Sequence, residues 1–132
     1  MKLTNTLVLS ILFGLSILTT IPAQADETQE CIMFLRIAED AIKNRQNDVS
    51  IIDSFRGVDN MSNGLVDILD KKNGKDLNER AMNTIMTIDA TARLIVEMAY
   101  EEPYGYSQQM KNRYIAEFTN NIYSACMKDK RQ

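Results

Sequence analysis

Apolar residues recur at three- and four-residue spacing in four stretches of the chain, and polar breaks separate them. From Glu27 onward Cys31, Phe34, Leu35, Ala38, Ala41 and Ile42 fall on one helical face. The spacing predicts a helix from Glu27 to Lys43 or Asn44, with Asp26, Glu27 and Glu30 at the end where a helix favours negative charge. The run Asn44 to Asp48 is polar, has no apolar period, and reads as a turn.

A second helix is expected to open at Ser50, where Asp53 stands three residues on as a capping partner. Ile51, Phe55, Val58, Met61 or Ser62, Leu65, Ile68 and Leu69 carry its period, and Lys71, Lys72 and Asn73-Gly74 mark its end. Gly57 and Gly64 interrupt it seven residues apart, hence on one face. Two readings stay open for them: close approach by a neighbouring helix, or a kink that splits the element in two.

Asp76 and Glu79 begin the most regular stretch, Ala81, Ile85, Ile88, Ala92, Ile95 and Ala99, which has to stop near Glu102 because Pro103 disfavours helical geometry before it. Pro103 to Tyr106 then forms a tight turn and Ser107 caps a last helix, whose inner face is Tyr114 or Ile115, Phe118, Ile122 and Cys126.

Four helices on short connections favour antiparallel neighbours, so the expected fold is all-α: a small antiparallel four-helix bundle running up, down, up, down. In that arrangement the start of the first helix and the end of the fourth lie together. Cys31 and Cys126 occupy those two places, and two cysteines allow one pairing, so the bundle is expected to be stapled by one disulfide. Closing so long a loop stabilises by roughly 4 to 5 kcal/mol on chain-entropy grounds. No strand-period segment and no internal repeat competes with this reading.

The N-terminus changes where such a protein is expected to work. Lys2, the apolar run Leu7 to Leu18, and Ala23 and Ala25 around a cleavage point read as a signal peptide, residues 1–25. The run of 12 residues is too short to cross a bilayer core of about 30 Å. Cleavage leaves a single helical domain, 26–132, with no stable membrane anchor. The expected location is the periplasm, with secretion to the medium second, and the compartment is oxidising.

Only Lys2 of the 15 basic and 18 acidic residues lies in the signal peptide, so its removal takes the net charge from −3 to −4. An acidic domain does not bind nucleic acid or anionic lipid through bulk charge. The chain has no histidine, which removes the usual general base and the commonest metal ligand. No catalytic motif, cofactor motif or metal-ligand spacing appears, and the expectation is a protein that is not an enzyme. Met82 and Met86 share a helix face but read as core gap-fillers rather than copper ligands. Asp67 with Asp70, and Glu97 with Glu101, pair on helix faces without the order of a calcium loop.

The turn Glu101, Glu102, Pro103, Tyr104, Gly105, Tyr106 is the most unusual surface stretch. Two tyrosines at a proline-fixed tip are the kind of rigid aromatic anchor that protein recognition uses. The plainer reading is that both rings fold back over the bundle end. On the first reading a protein partner, favoured to be basic, contacts Tyr104, Tyr106, Glu101 and Glu102 together with Asp67 and Asp70 on the second helix.

In size, export and helicity the chain resembles two groups, immunity proteins that neutralise contact-delivered toxins and periplasmic acid-stress chaperones. The likeness includes no motif, so it transfers no functional residue. It implies two expectations: a binding module of inhibitor or immunity type acting through its surface, or a chaperone that exposes apolar faces at low pH.

Overall fold

The computed structural model describes residues 23–73 and 79–131. The signal peptide assigned to residues 1–25 lies almost wholly outside them, as do the Gly74 stop and the Asp76 start. Four helices account for the described chain: α1 (Ala23–Gln46), α2 (Ile51–Asn73), α3 (Glu79–Glu101) and α4 (Gln108–Asp129).

Two of the helices, α2 and α4, open at caps that the pattern contains. Ser50 Oγ bonds Asp53 Oδ2 at 2.8 Å and accepts the Asp53 N–H at 3.2 Å, so the start of α2 is capped by its own side chains. Ser107 caps α4 by accepting the Met110 N–H at 3.2 Å. α1 differs at both ends from expectation. It begins at Ala23, four residues before Glu27, and it continues through Asn44, Arg45 and Gln46. These polar residues stay helical because their side chains find partners across the fold, and the helix closes only at Asp48, which adopts φ 59° while Val49 N–H reaches back to Asn44 O at 3.0 Å.

The chain directions alternate up, down, up, down. Lys130 Nζ meets Glu30 Oε2 at 2.6 Å, joining the end of α4 to the start of α1, and Ser62 Oγ meets Asp89 Oδ1 at 2.6 Å between α2 and α3. α1 is the central element and packs along α4 and α3, whereas α2 packs chiefly on α3. Among the described residues α3 and α4 do not pack along their length, so the bundle is open on that side, and the parallel helices α1 and α3 fill the middle.

The expected apolar faces of α1, α3 and α4 form the core. Phe34, Ala38, Ala41 and Ile42 of α1 meet Ala92, Ile95, Val96 and Ala99 of α3 and Phe118 of α4. Each large side chain withdrawn this way contributes roughly 1.5 to 3 kcal/mol. Cys31 and Cys126, 95 positions apart in the chain, are bonded with Cα atoms 5.7 Å apart, as their matching placement predicted.

α2 departs from expectation twice. It is one continuous helix through both glycines, and a Cβ built on Gly57 or Gly64 would meet nothing within 4 Å. The glycines therefore do not admit a neighbouring helix and do not break the element. Its second half also leaves the core: the α2 residues in or against the core are Ile51, Phe55, Val58 and Met61, and Ile68 is 63% exposed. Met82 and Met86 are likewise exposed rather than core gap-fillers.

Candidate functional site

The turn between α3 and α4 is built from the residues beneath it. Gln46 is completely buried, and its carboxamide clamps the turn from both sides: Nε2 donates to Pro103 O at 2.9 Å and Oε1 accepts the Gly105 N–H at 2.8 Å. Arg45 Nε adds a bond to Glu102 O at 3.3 Å. Buried amides of this kind fix a backbone because releasing them strands donors and acceptors away from water. Gly105 is required for close approach, since a Cβ there would stand 2.7 Å from the Lys111 backbone nitrogen and 2.9 Å from its Cγ.

The two tyrosines take different roles. Tyr104 is half-buried; its hydroxyl donates to Asp48 Oδ2 at 3.1 Å and accepts from Lys111 Nζ at 3.0 Å. Lys111 Nζ also lies 4.7 Å from the ring centroid, and the Arg45 guanidinium lies 6.0 Å from it, so cations border the ring. Tyr106 stands edge-on to Tyr104 with centroids 6.1 Å apart and is 90% exposed. One ring thus caps the bundle end, and the other is presented to solvent on a clamped support.

Glu101 is exposed beside this turn, and Glu102 is half-buried with its carbonyl engaged by Arg45. Asp67 and Asp70 are exposed too, but at the other end of the molecule. Ser54, near the start of α2, bonds Tyr100 at 2.9 Å, and Asp67 is a further 13 residues along, about 20 Å by helical rise. The structure brings Glu101, Glu102, Tyr104 and Tyr106 together and leaves Asp67 and Asp70 apart from them. The supporting residues Arg45, Gln46, Asp48 and Lys111 escaped sequence reasoning, because polar side chains in a polar run carry no periodic signal of burial.

Beneath the clamp a hydrogen-bonded chain ties three elements. Asn44 Nδ2 donates to Ser54 Oγ at 3.0 Å, Ser54 Oγ lies 2.9 Å from Tyr100 Oη, and Tyr100 donates to Val49 O at 2.8 Å. Farther along, Arg93 Nε bonds Asp89 Oδ2 at 2.8 Å, its guanidinium also reaches Asp59, and it lies 5.7 Å over the Phe55 ring. The Ser62 hydroxyl, followed by Arg93, holds the Asp89 carboxyl below the usual carboxylate range.

A groove of about 640 Å³ opens between α1 and α2, with Ile37, Ala41, Val58 and Met61 on its walls and Val96 at its floor. It follows from α2 packing chiefly on α3 rather than on α1. Among the described residues no group of three or more His, Cys, Asp or Glu is placed to hold a metal ion, and no helix is long and apolar enough to cross a membrane. No family model matches the chain, and neither a curated protein nor a solved structure matches it.

Proposed function

We propose that this is an exported, non-enzymatic binding module of inhibitor or immunity type that engages a protein partner through the α3–α4 turn. The observation that carries the reading is the pairing of a 90% exposed Tyr106 with a turn clamped by a fully buried Gln46. A large ring held on a fixed backbone gives up little conformational entropy when it is covered, so contact area converts to affinity efficiently. Glu101 beside it, on a domain of net negative charge, favours a basic partner and speeds encounter at low salt. The periplasm is the proposed location, since the disulfide suits an oxidising compartment.

The test is capture from periplasmic extract with the oxidised domain as bait. A partner retained at one-to-one stoichiometry, and released as salt rises, supports the proposal; the absence of any stoichiometric partner contradicts it.

One observation favours the second reading, an acid-responsive chaperone. Asp59 and Asp89 join α2 to α3 through Arg93, and protonating Asp89 would weaken the tie that holds α2, one wall of the α1–α2 groove. Suppression of client aggregation in acid, with none at neutral pH, is the result that would support it.

A further inference from the structure

The methionines of this domain fall into two groups by their surroundings. Met86 is 62% exposed, Met98 41%, Met82 38% and Met110 37%. Met33, Met61 and Met127 are half-buried, and Met33 and Met61 pack against the core. The second group does what methionine ordinarily does, filling irregular space with a flexible side chain. The first group fills no gap in the core. At an exposed helical position leucine has the same volume class and a helix propensity at least as good, so packing and propensity give no reason for methionine there.

What methionine has and leucine lacks is the sulfur lone pair. Two-electron oxidants convert the thioether to methionine sulfoxide, and exposure decides which residue reacts first. The domain offers such oxidants few other targets. It has no tryptophan and no histidine, and its two cysteines are bonded to each other. Oxidant that reaches the folded domain is therefore directed to methionine, and among the methionines to the exposed group. The consequence of reaction differs between the groups. A sulfoxide on the surface of α3 or α4 is hydrated and displaces nothing. A sulfoxide at Met33 or Met61 sets a polar oxygen against the apolar core, where a polar group without a partner is costly.

We infer that Met82, Met86, Met98 and Met110 form an oxidant-consuming surface, a set of thioethers that reacts ahead of Met33 and Met61 and so protects the fold. The substrate class is the two-electron oxygen donor, hypochlorous acid or hydrogen peroxide. With hypochlorous acid the sulfur gives up two electrons and gains an oxygen, chlorine leaves as chloride, and one proton is released. With hydrogen peroxide the O–O bond breaks, one oxygen joins the sulfur, and the other leaves as water. The inference does not rest on the partner proposed for the α3–α4 turn.

Limiting hypochlorous acid, one equivalent for each exposed methionine, tests this on the disulfide-bonded domain. Peptide mass should find sulfoxide at Met82, Met86, Met98 and Met110 in at least about fivefold excess over Met33 and Met61, with Met86 reacting first. The thermal midpoint should move by less than about 3 °C, as for other surface changes. The comparison is the protein with Met82→Leu, Met86→Leu, Met98→Leu and Met110→Leu combined. The same dose should then reach Met33 and Met61 and lower the midpoint by about 6 °C or more. The order of reaction is read on the parent itself, so it stands whether or not the combined variant folds. Sulfoxide at Met33 or Met61 as early as at Met86 overturns the inference, and so does a leucine variant that withstands the dose as well as the parent.

Discussion

The side chain of Gln46 and the backbone of Gly105, 59 positions apart in the chain, are joined by a 2.8 Å hydrogen bond in a fully buried setting. That bond couples the end of α1 to the turn after α3. It makes the turn part of the rigid frame rather than a loop laid over it.

Gln46→Leu should therefore do more than remove a polar group. It leaves the buried Gly105 N–H unpaired and removes the bond to the Pro103 carbonyl, at a cost of about 1 to 3 kcal/mol. Denaturant midpoints would register the loss. A variant as stable as the parent would mean that the clamp contributes nothing.

The glycines of α2 predict the opposite sign. Both sit inside a helix facing open space, so Gly57→Ala and Gly64→Ala should each stabilise by about 0.5 to 1 kcal/mol. Thermal midpoints of the single and double variants check this, and a fall in either would show a contact that the open space around these positions does not provide.

Core burial sets a third expectation. Phe118→Ala should destabilise by about 3 to 5 kcal/mol, while Ile88→Ala, at a half-buried position, should fall nearer 2 kcal/mol. The order of the two denaturant midpoints is the quantity to read.

Much of this architecture was legible in the chain. Periodicity placed four helices because each buries one stripe, and Cys31 and Cys126 closed the bundle because matching ends must meet. The end of α1 was not legible, because Asn44, Arg45 and Gln46 look like a solvated turn until Ser54, Glu102 and Pro103 are seen to receive them. The glycines of α2 were misread for a related cause: shared helical phase says which residues face together, not whether anything stands opposite. At the site, Tyr104 and Tyr106 were identifiable as a pair. Their division into a half-buried cap and an exposed ring depends on Asp48 and Lys111, which come from different elements and leave no trace in spacing.

Acid should act on the α2–α3 tie. The Asp89 carboxyl is held below its ordinary 3.8, first by Ser62 and then by Arg93, so its ionised form is the one the fold favours. Its contribution is complete above that ordinary value and is lost as pH falls through the lower folded value. Asp89→Asn should thus be less stable than the parent near neutral pH, and the gap should close as pH falls below the ordinary 3.8. Midpoints of the two proteins across that range decide it; a gap independent of pH would assign the effect to packing instead.

The central claim is that Tyr106, and not Tyr104, is the contact residue of a clamped turn. Capture of a partner from periplasmic extract by the parent, Tyr104→Ala and Tyr106→Ala, with thermal stability measured alongside, tests it most directly. The account predicts that Tyr106→Ala abolishes capture with stability within about 0.5 kcal/mol of the parent, as for other exposed positions. Tyr104→Ala, which loses its bonds to Asp48 and Lys111, should lower stability measurably. Undiminished capture by a folded Tyr106→Ala protein would contradict the claim and move the contact surface elsewhere.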